Sequence, residues 1–233
     1  RLVGSEMCIR DRYSSECRPI SYSDGTYGIK NLRTGEITLK GITWMFASEA
    51  YTDSLVIYSK NYRRGYFNRF TGEAVIPEQY THAWIFSEGL AAVVKEDKVG
   101  FIDRRGEVVI DFQYPYLKDN DRRVDFVFHE GYCSMYDEEG KCGIINNKGE
   151  WVVKPQYDYV QNPLYGKRVF IQDGKYGLMD DSLHIVIPAE YRYITQTSDY
   201  AIVSRWDESR MQMSYKGEIL NPMLYDMIDR LDY

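Results

Sequence analysis

The chain has 233 residues, enough to bury the core of one or two domains, and its content of 44% hydrophobic and 15% aromatic residues argues against a disordered protein. A formal net charge of −6 argues against a nucleic-acid-binding surface, which is usually marked by clustered lysine and arginine. No apolar run approaches the roughly 18 residues that a membrane-spanning helix requires.

Residues 1–12 read as the translation of a common transposase sequencing adaptor, and the alternative is an ordinary N-terminal tail. The segment has neither the continuous apolar stretch nor the small-residue cleavage site of a signal peptide. We therefore expect the protein itself to begin near Tyr13 and its true N-terminus to be missing. Its location, in the envelope or the cytoplasm, stays open.

A tandem repeat organises the chain from Gly65 onward. Five copies close on a tyrosine, and the steps between these tyrosines are 34, 43, 34 and 34 residues. A weaker copy starts at Tyr27 and lacks the closing proline and tyrosine. Equal steps of this length are typical of repeat architectures. The closing tyrosines, which we expect to pack between neighbouring units, are Tyr80, Tyr114, Tyr157, Tyr191 and Tyr225.

Each copy contains the same sequence of elements. An apolar strand and a turn such as Asp173-Gly174 lead to a second strand that carries a glycine. A second turn begins with Asp or Asn and ends near Gly, and a β-branched third strand follows. We expect Pro77, Pro188 and Pro222 to end that strand, because proline cannot donate to the ladder. The second-strand glycines, where we predict a close backbone approach or a bulge, are Gly65, Gly100, Gly143 and Gly177.

These patterns predict an all-β fold in which each unit has about three short antiparallel strands. One such unit cannot bury its apolar face alone, so the units must stack as an open β-solenoid-like or propeller-like array. The predicted repeat domain covers residues 13–233. Its units lie near residues 22–58, 59–94, 95–135, 136–171, 172–203 and 204–233.

The step of 43 residues contains an insertion of nine, which we place between Tyr116 and Phe126. Insertions in repeat proteins usually map to loops on one face, often the binding face. The alternative is a surface insertion with no role, since long loops cost little stability. The residues predicted to contact a partner are Tyr116, Lys118, Asp119, Arg122, Arg123 and Phe126.

We find no arrangement of residues that predicts catalysis, a metal site or a cofactor. His82, His129 and His184 have no partners at metal-ligand spacing. Cys133 and Cys142 flank a predicted hairpin turn, where they are either a facing pair or, as we prefer, free thiols in the core. The nucleophile, phosphate-loop and dinucleotide motifs are missing from the sequence.

The repeat resembles the WG-repeat family of bacterial proteins over about residues 22–225. The motifs that carry the resemblance are Tyr176-Gly177, Phe101-Ile102-Asp103, Lys148-Gly149, Pro155-Gln156-Tyr157-Asp158 and Phe86-Ser87-Glu88-Gly89-Leu90-Ala91. The family's namesake tryptophan is Val99, Cys142 or Tyr176 here, and Arg64 and Arg210 occupy the same slot. Met211 and Leu183 replace expected glycines, so we expect altered turns in those copies.

The resemblance implies a β-repeat protein that is often associated with the envelope or attached to other domains, and it transfers no catalytic residues. It favours a non-catalytic binding or scaffolding module that contacts other proteins. One alternative is a glycan or cell-wall binding module that uses Trp44, Trp84, Trp151 and Trp206, although we expect these tryptophans to be core residues. Another is an accessory region of an enzyme whose catalytic domain is missing.

Overall fold

The structure is a computed structural model that describes residues 16–46, 53–117 and 126–224. It contains 22 β-strands in six antiparallel sheets, and no helix occurs in the described ranges. The all-β prediction is therefore confirmed. The chain divides into two compact units, Arg1–Tyr116 and Leu117–Tyr233.

Unit 1 contains three sheets, which we call A, B and C in chain order. In each of them, strands that are consecutive in sequence are hydrogen-bonded neighbours. Sheet A comprises β1 (Cys17–Ser21), β2 (Tyr27–Asn31) and β3 (Ile37–Ile42); sheet B comprises β4 (Trp44–Met45), β5 (Leu55–Lys60), β6 (Arg63–Asn68) and β7 (Ala74–Tyr80); sheet C comprises β8 (His82–Ala83), β9 (Ala91–Lys95), β10 (Lys98–Ile102) and β11 (Val108–Pro115).

Unit 2 contains sheets D, E and F, which have the same meander order. Sheet D comprises β12 (Tyr132–Tyr136), β13 (Cys142–Asn146) and β14 (Trp151–Tyr157); sheet E comprises β15 (Tyr159–Val160), β16 (Arg168–Gln172), β17 (Lys175–Met179) and β18 (Ile185–Tyr191); sheet F comprises β19 (Tyr193–Gln196), β20 (Tyr200–Ser204), β21 (Arg210–Ser214) and β22 (Ile219–Leu224).

Four of the six sheets have a short fourth strand in addition to the three that the repeat pattern predicts. In three of these sheets the strand starts two residues after a closing tyrosine: β8 follows Tyr80, β15 follows Tyr157 and β19 follows Tyr191. Three of the four short strands have only two residues, which are too few to show an alternation of apolar and polar side chains, so the sequence pattern does not reveal them. The predicted unit boundaries stay predictions.

The core of unit 1 lies between successive sheets. One face of sheet B contributes Val56 and Phe67 to a buried cluster that also contains Ile29 of sheet A. The opposite face contributes Ile57 to a second cluster, which contains Val93 of sheet C. Because neighbouring strand residues point to opposite faces, a run of apolar residues fills both layers at once. In unit 2, a third cluster joins sheets E and F in the same way.

The closing tyrosines lie at the ends of outer strands. Tyr80 is buried, and its ring stacks on Phe112 of the next sheet with 6.3 Å between the ring centroids. Tyr157 is buried against Phe170, at 4.7 Å. Tyr114 is also buried and Tyr191 is half-buried, whereas Tyr225 lies outside the described residues.

A bulge in the outer strand lies opposite each of the second-strand glycines. Arg64 pairs with Tyr80 but Tyr66 pairs with Ile76, so two residues of the middle strand face four of the outer strand. The same two-against-four register recurs opposite the other three second-strand glycines. At Gly65, a β-carbon would collide with the Ile76 carbonyl oxygen, which belongs to the bulge. The bulged backbone therefore leaves no room for a side chain there.

The expectation that proline ends the third strand is wrong. Pro77 and Pro188 lie inside β7 and β18, and Pro222 lies inside β22. Each occupies the bulge of an edge strand, where the ladder does not need a hydrogen-bond donor. In the last sheet only three outer residues face two of β21, and buried Met211 takes the place of the glycine.

The expectation of an altered turn at Leu183 is also wrong. Leu183 has a φ of 65°, in the left-handed region that Gly106 and Gly149 occupy at the corresponding turns. Its amide donates to the Asp180 carbonyl at 3.1 Å, as the Gly106 amide donates to the Asp103 carbonyl at 3.0 Å. The turn is therefore kept, and a leucine is held in a conformation that favours glycine.

Candidate binding surface

The predicted contact residues of the insertion are only partly within the described residues. Tyr116 and Phe126, which flank the insertion, are both buried. The Tyr116 amide donates to the Asp97 carbonyl at 2.9 Å, and its ring lies 4.6 Å from that of His82. The buried rings of Tyr116 and Phe126 thus anchor the chain on either side of the insertion. Lys118, Asp119, Arg122 and Arg123 lie outside the described residues, so a contact there stays a prediction.

The expectation that the tryptophans are core residues is wrong. Trp44 is 43% exposed and Trp206 is 61% exposed. Trp84 and Trp151 are half-buried. A ring on an edge strand or in a hairpin loop has a packed layer on only one side, which explains why a residue type that suits a core stays at the surface here.

Trp44 and Arg64 form one row across the end of sheet B. Trp44 on β4 pairs with Ser59 on β5, and Ser59 pairs with Arg64 on β6. The Arg64 guanidinium carbon lies 5.2 Å from the centroid of the Trp44 ring, within the range of a cation–π interaction. The guanidinium also donates to the Ala83 carbonyl at 3.3 Å, which fixes its position beside sheet C.

Tyr62 lies at the tip of the hairpin that joins β5 and β6. Lys60 pairs with Arg63, so Asn61 and Tyr62 form a two-residue loop, and both have positive φ values, of 51° and 59°. Such a loop favours Asn followed by Gly. A bulky residue in the left-handed region costs about 1–2 kcal/mol, and the Tyr62 side chain is 98% exposed, so no packing offsets that cost.

The equivalent hairpins show that the tyrosine is not needed to make the turn. The β9–β10 hairpin has Glu96 and Asp97 at the two tip positions, with φ values of 53° and 55°. The β16–β17 hairpin has Asp173 and Gly174, with φ values of 51° and 73°. Among these three hairpins, only that of sheet B has an exposed aromatic residue in the left-handed region, and residues in such conformations cluster at functional sites. Outside them, Tyr165 in the turn between Leu164 and Lys167 also has a positive φ, of 53°, and is 55% exposed.

Lys60 and Arg63 pair across the hairpin and leave one face of the sheet, whereas Arg64, the next residue of β6, leaves the other. Lys60 faces Glu78, with 3.6 Å between its ammonium nitrogen and the nearer carboxylate oxygen. Glu78 in turn accepts a 2.7 Å hydrogen bond from the Tyr58 hydroxyl. Arg63 is exposed, and within the described ranges it makes no ion pair. The Arg63 guanidinium is therefore available to bind a partner, whereas that of Arg64 is partly occupied by its contacts with Trp44 and the Ala83 carbonyl.

We call Trp44, Tyr62, Arg63 and Arg64 the sheet B surface. The pattern of apolar, turn and glycine residues that defines the repeat does not single out these four residues. One feature of the sequence does point to this surface. Asn61-Tyr62 occupies the turn position where a later copy has Asp173-Gly174, and a tyrosine is unfavourable at a position where the turn prefers glycine.

The cysteines that the structure describes, Cys17, Cys133 and Cys142, are all buried. Cys133 and Cys142 are buried and free, as the preferred interpretation predicted. Burial raises the pKa of the Cys142 thiol to about 12 and also raises the pKa of Cys133, so both remain protonated near neutral pH. In the part of the chain that the structure describes, no group of three or more His, Cys, Asp or Glu could hold a metal ion.

Residues 65–98, 100–121 and 143–176 match the family model described as WG containing repeat. The chain is similar to the WG repeat over these three segments. They contain all of β7, β9 and β11 and most of β6 and β10, and the first match begins at Gly65, directly after Arg64 of the sheet B surface. Tandem arrays of small repeat units are typical of binding and scaffolding modules.

No curated protein matches the chain. Among solved structures, it is similar to BamB from Moraxella catarrhalis, with 12% identity and a TM-score of 0.47 over 92% of this chain and 74% of that one. It is similar to Hsv2p of Kluyveromyces lactis, with 8% identity and a TM-score of 0.47 over 94% and 77%. It is also similar to the WD40 beta propeller domain of Doa1, with 12% identity and a TM-score of 0.36 over 91% and 80%.

In the described ranges, no helix is long and apolar enough to cross a membrane.

Proposed function

We propose that this chain is a non-catalytic module that binds other proteins, and that the sheet B surface is a contact site. The observation that carries the proposal is Tyr62, an aromatic side chain that is 98% exposed and held in the left-handed region. Tyrosine, tryptophan and arginine are the residue types that dominate binding energy at protein interfaces. All three residue types occur at one end of sheet B, with Tyr62 at the hairpin tip, Trp44 and Arg64 on one face and Arg63 on the other.

The interior of the units supports a role without catalysis. The thiols that could act as nucleophiles are buried and protonated. The recurring Asp103, Asn146 and Asp180 accept hydrogen bonds from the amides of their own turns, so their side chains are used to hold the backbone. Hydrolase and transferase screens should accordingly be negative, and turnover that one point substitution abolishes would contradict the proposal.

The geometry at Trp44 favours a protein over a glycan. A sugar ring binds by stacking on an open aromatic face, whereas the Arg64 guanidinium lies over the Trp44 ring at 5.2 Å. The contact of Trp44 with Phe46 is edge-on, at an interplanar angle of 66°, so the two rings do not form a flat platform. The surface instead offers a guanidinium, an indole edge and a phenol, which suit a polypeptide.

The test is a selection from a library of random dodecapeptides displayed on phage, with the purified chain as bait. Wild-type protein should enrich a set of peptides, and Tyr62→Gly should lose them while remaining folded. Asp97→Gly is the matched control, because it makes the same kind of change at the corresponding tip of the β9–β10 hairpin. It should enrich the same peptides as the wild-type chain.

Two results would contradict the proposal. Selection without enrichment would remove the evidence for polypeptide binding. Peptides that survive Tyr62→Gly but are lost when residues 118–125 are deleted would move the contact to the insertion.

A further inference from the structure

We infer that the partner segment at the sheet B surface is a short acidic stretch of polypeptide. The inference rests on the proposed function and adds the chemistry of the partner. Its basis is the local charge: Lys60, Arg63 and Arg64 lie within five residues that contain no acidic side chain, in a chain whose net charge is −6. Lys60 is paired with Glu78 from the neighbouring strand, so the two arginines supply the unpaired positive charge of the hairpin. A cation cluster against an acidic background steers an acidic ligand to that point and repels it elsewhere.

The two arginines are placed to bind carboxylates. They are successive residues of β6, so their guanidinium groups leave opposite faces of the sheet, one on each side of the Tyr62 tip. A planar guanidinium accepts a carboxylate in a bidentate arrangement that a lysine ammonium cannot reproduce. Arg63 is exposed and makes no ion pair with another described residue, so it keeps this capacity for a ligand.

Tyr62 adds an apolar contact, which the charged residues alone do not supply. Its ring is 98% exposed and gains no packing within the protein, although the backbone at that residue is strained. A rigid phenol covers apolar side chains at a low cost in conformational entropy, and its hydroxyl bonds to peptide groups. The fitting ligand therefore combines carboxylates with at least one apolar side chain.

The extent of the cluster favours a short segment over a long polyanion. Electrostatic attraction between exposed charges fades over about 8 Å at physiological salt. A ligand that runs past the hairpin meets a protein whose remaining charge is negative, because the two arginines leave the rest of the chain more acidic than its total of −6. A segment with a few acidic residues is attracted to the cluster, whereas a uniform polyanion is repelled over most of its length.

The decisive experiment measures fluorescence anisotropy with four probes. The first is a fluorescein-labelled dodecapeptide with four glutamates and two leucines among serines. The second is its glutamine analogue, which has the same shape without charge. The third is a labelled oligogalacturonate and the fourth is vesicles containing phosphatidylserine, which carry similar negative charge on a glycan and on a membrane.

We expect the acidic peptide to bind at least about tenfold more tightly than its glutamine analogue, and its affinity to fall as sodium chloride rises. Tyr62→Gly and the double variant Arg63→Gln, Arg64→Gln should each weaken binding about tenfold or more, as loss of an interface anchor does. Arg105→Gln is the charge-matched control, since Arg105 is an exposed arginine in another turn of unit 1. It should leave the affinity unchanged.

Thermal unfolding separates lost binding from lost folding. Tyr62→Gly should unfold at the same temperature as the wild type or higher, because the substitution relieves a left-handed tyrosine. A protein that is at least as stable but no longer binds supports a contact role for Tyr62. A lower unfolding temperature together with unchanged peptide affinity would overturn that role.

The failures of the two proposals are distinguishable. Equal affinity for the acidic peptide and its glutamine analogue would overturn the acidic partner, yet library peptides that depend on Tyr62 would leave the proposed function intact. Tighter binding of oligogalacturonate or vesicles than of the acidic peptide would also overturn the inference, in favour of that source of charge. Absence of both peptide binding and library enrichment would overturn both.

Discussion

A β-carbon on Gly143 would lie 2.6 Å from the carbonyl oxygen of Val153 on the neighbouring strand. The nitrogen of Pro155 would be 2.8 Å away on the same bulge. Backbone atoms cannot rotate out of the way as a flexible side chain can, so the glycine and the bulge depend on each other.

Gly143→Ala should destabilise the protein by about 1–3 kcal/mol, the usual effect of forcing extra atoms into a packed site. The physical reason is that the bulge of β14 must move to admit the methyl group. Urea unfolding gives the measurement, and Lys148→Ala, at an exposed turn residue, is the control and should change the stability little. Equal midpoints for the two variants would show that the bulge yields freely.

Leu183→Gly should stabilise the protein by about 1 kcal/mol, because leucine at a φ of 65° is strained and glycine is not. Ser182→Gly, at the preceding residue, has no left-handed strain to relieve and should be neutral or destabilising. Thermal unfolding of both variants makes the comparison. A lower midpoint for Leu183→Gly would mean that packing of the half-buried leucine outweighs its backbone strain.

Asp53 and Arg104 form an ion pair between sheets B and C, with 2.6 Å and 2.7 Å between the guanidinium nitrogens and the carboxylate oxygens. Burial raises the pKa of the Asp53 carboxyl, but the hydrogen bonds from Arg104 and Leu55 and the charge of Arg104 outweigh it, so the pKa lies below its ordinary value. The stabilisation is therefore present above the pKa of the unfolded carboxyl, about 3.9, and is lost as the pH falls through the lower folded value.

A double-mutant cycle with Asp53→Ala and Arg104→Ala should accordingly show a coupling energy at pH 7 that vanishes near pH 2. Both side chains are partly exposed, so we expect about 0.5–1 kcal/mol at low salt. The cycle is needed because Arg104 also hydrogen-bonds Ser54 and lies over Phe86, contacts that cancel in the double difference. Coupling that persists unchanged at pH 2 would refute a charge-based interaction.

Phe126→Ala should destabilise unit 2 by about 3–5 kcal/mol, the range for truncating a buried phenylalanine. Its side chain is only 1% exposed, beside Val127 and Phe128, which are also buried. Urea denaturation followed by tryptophan fluorescence measures the loss, and Val109→Ala, at an exposed strand position, is the control. A loss below about 1 kcal/mol would show that the burial of Phe126 contributes little.

The sequence by itself determined the repeat, the all-β class, the order of the three main strands and the positions of the bulge glycines. These features depend on neighbouring residues: an alternating strand, a turn and a glycine leave a local pattern that returns at each step. The WG-repeat resemblance followed from the same pattern.

Only the tertiary structure decided the rest. It places Pro77 inside a strand, holds Leu183 in a backbone conformation that favours glycine and leaves Trp44 at the surface. The reason is that a bulge, a turn and a sheet edge depend on which strands lie next to one another. It also brought Trp44 beside Arg64, which is 20 residues away in sequence, through the pairing of both with Ser59. A linear pattern records which residues are present; which of them meet is decided by the pairing of strands in three dimensions.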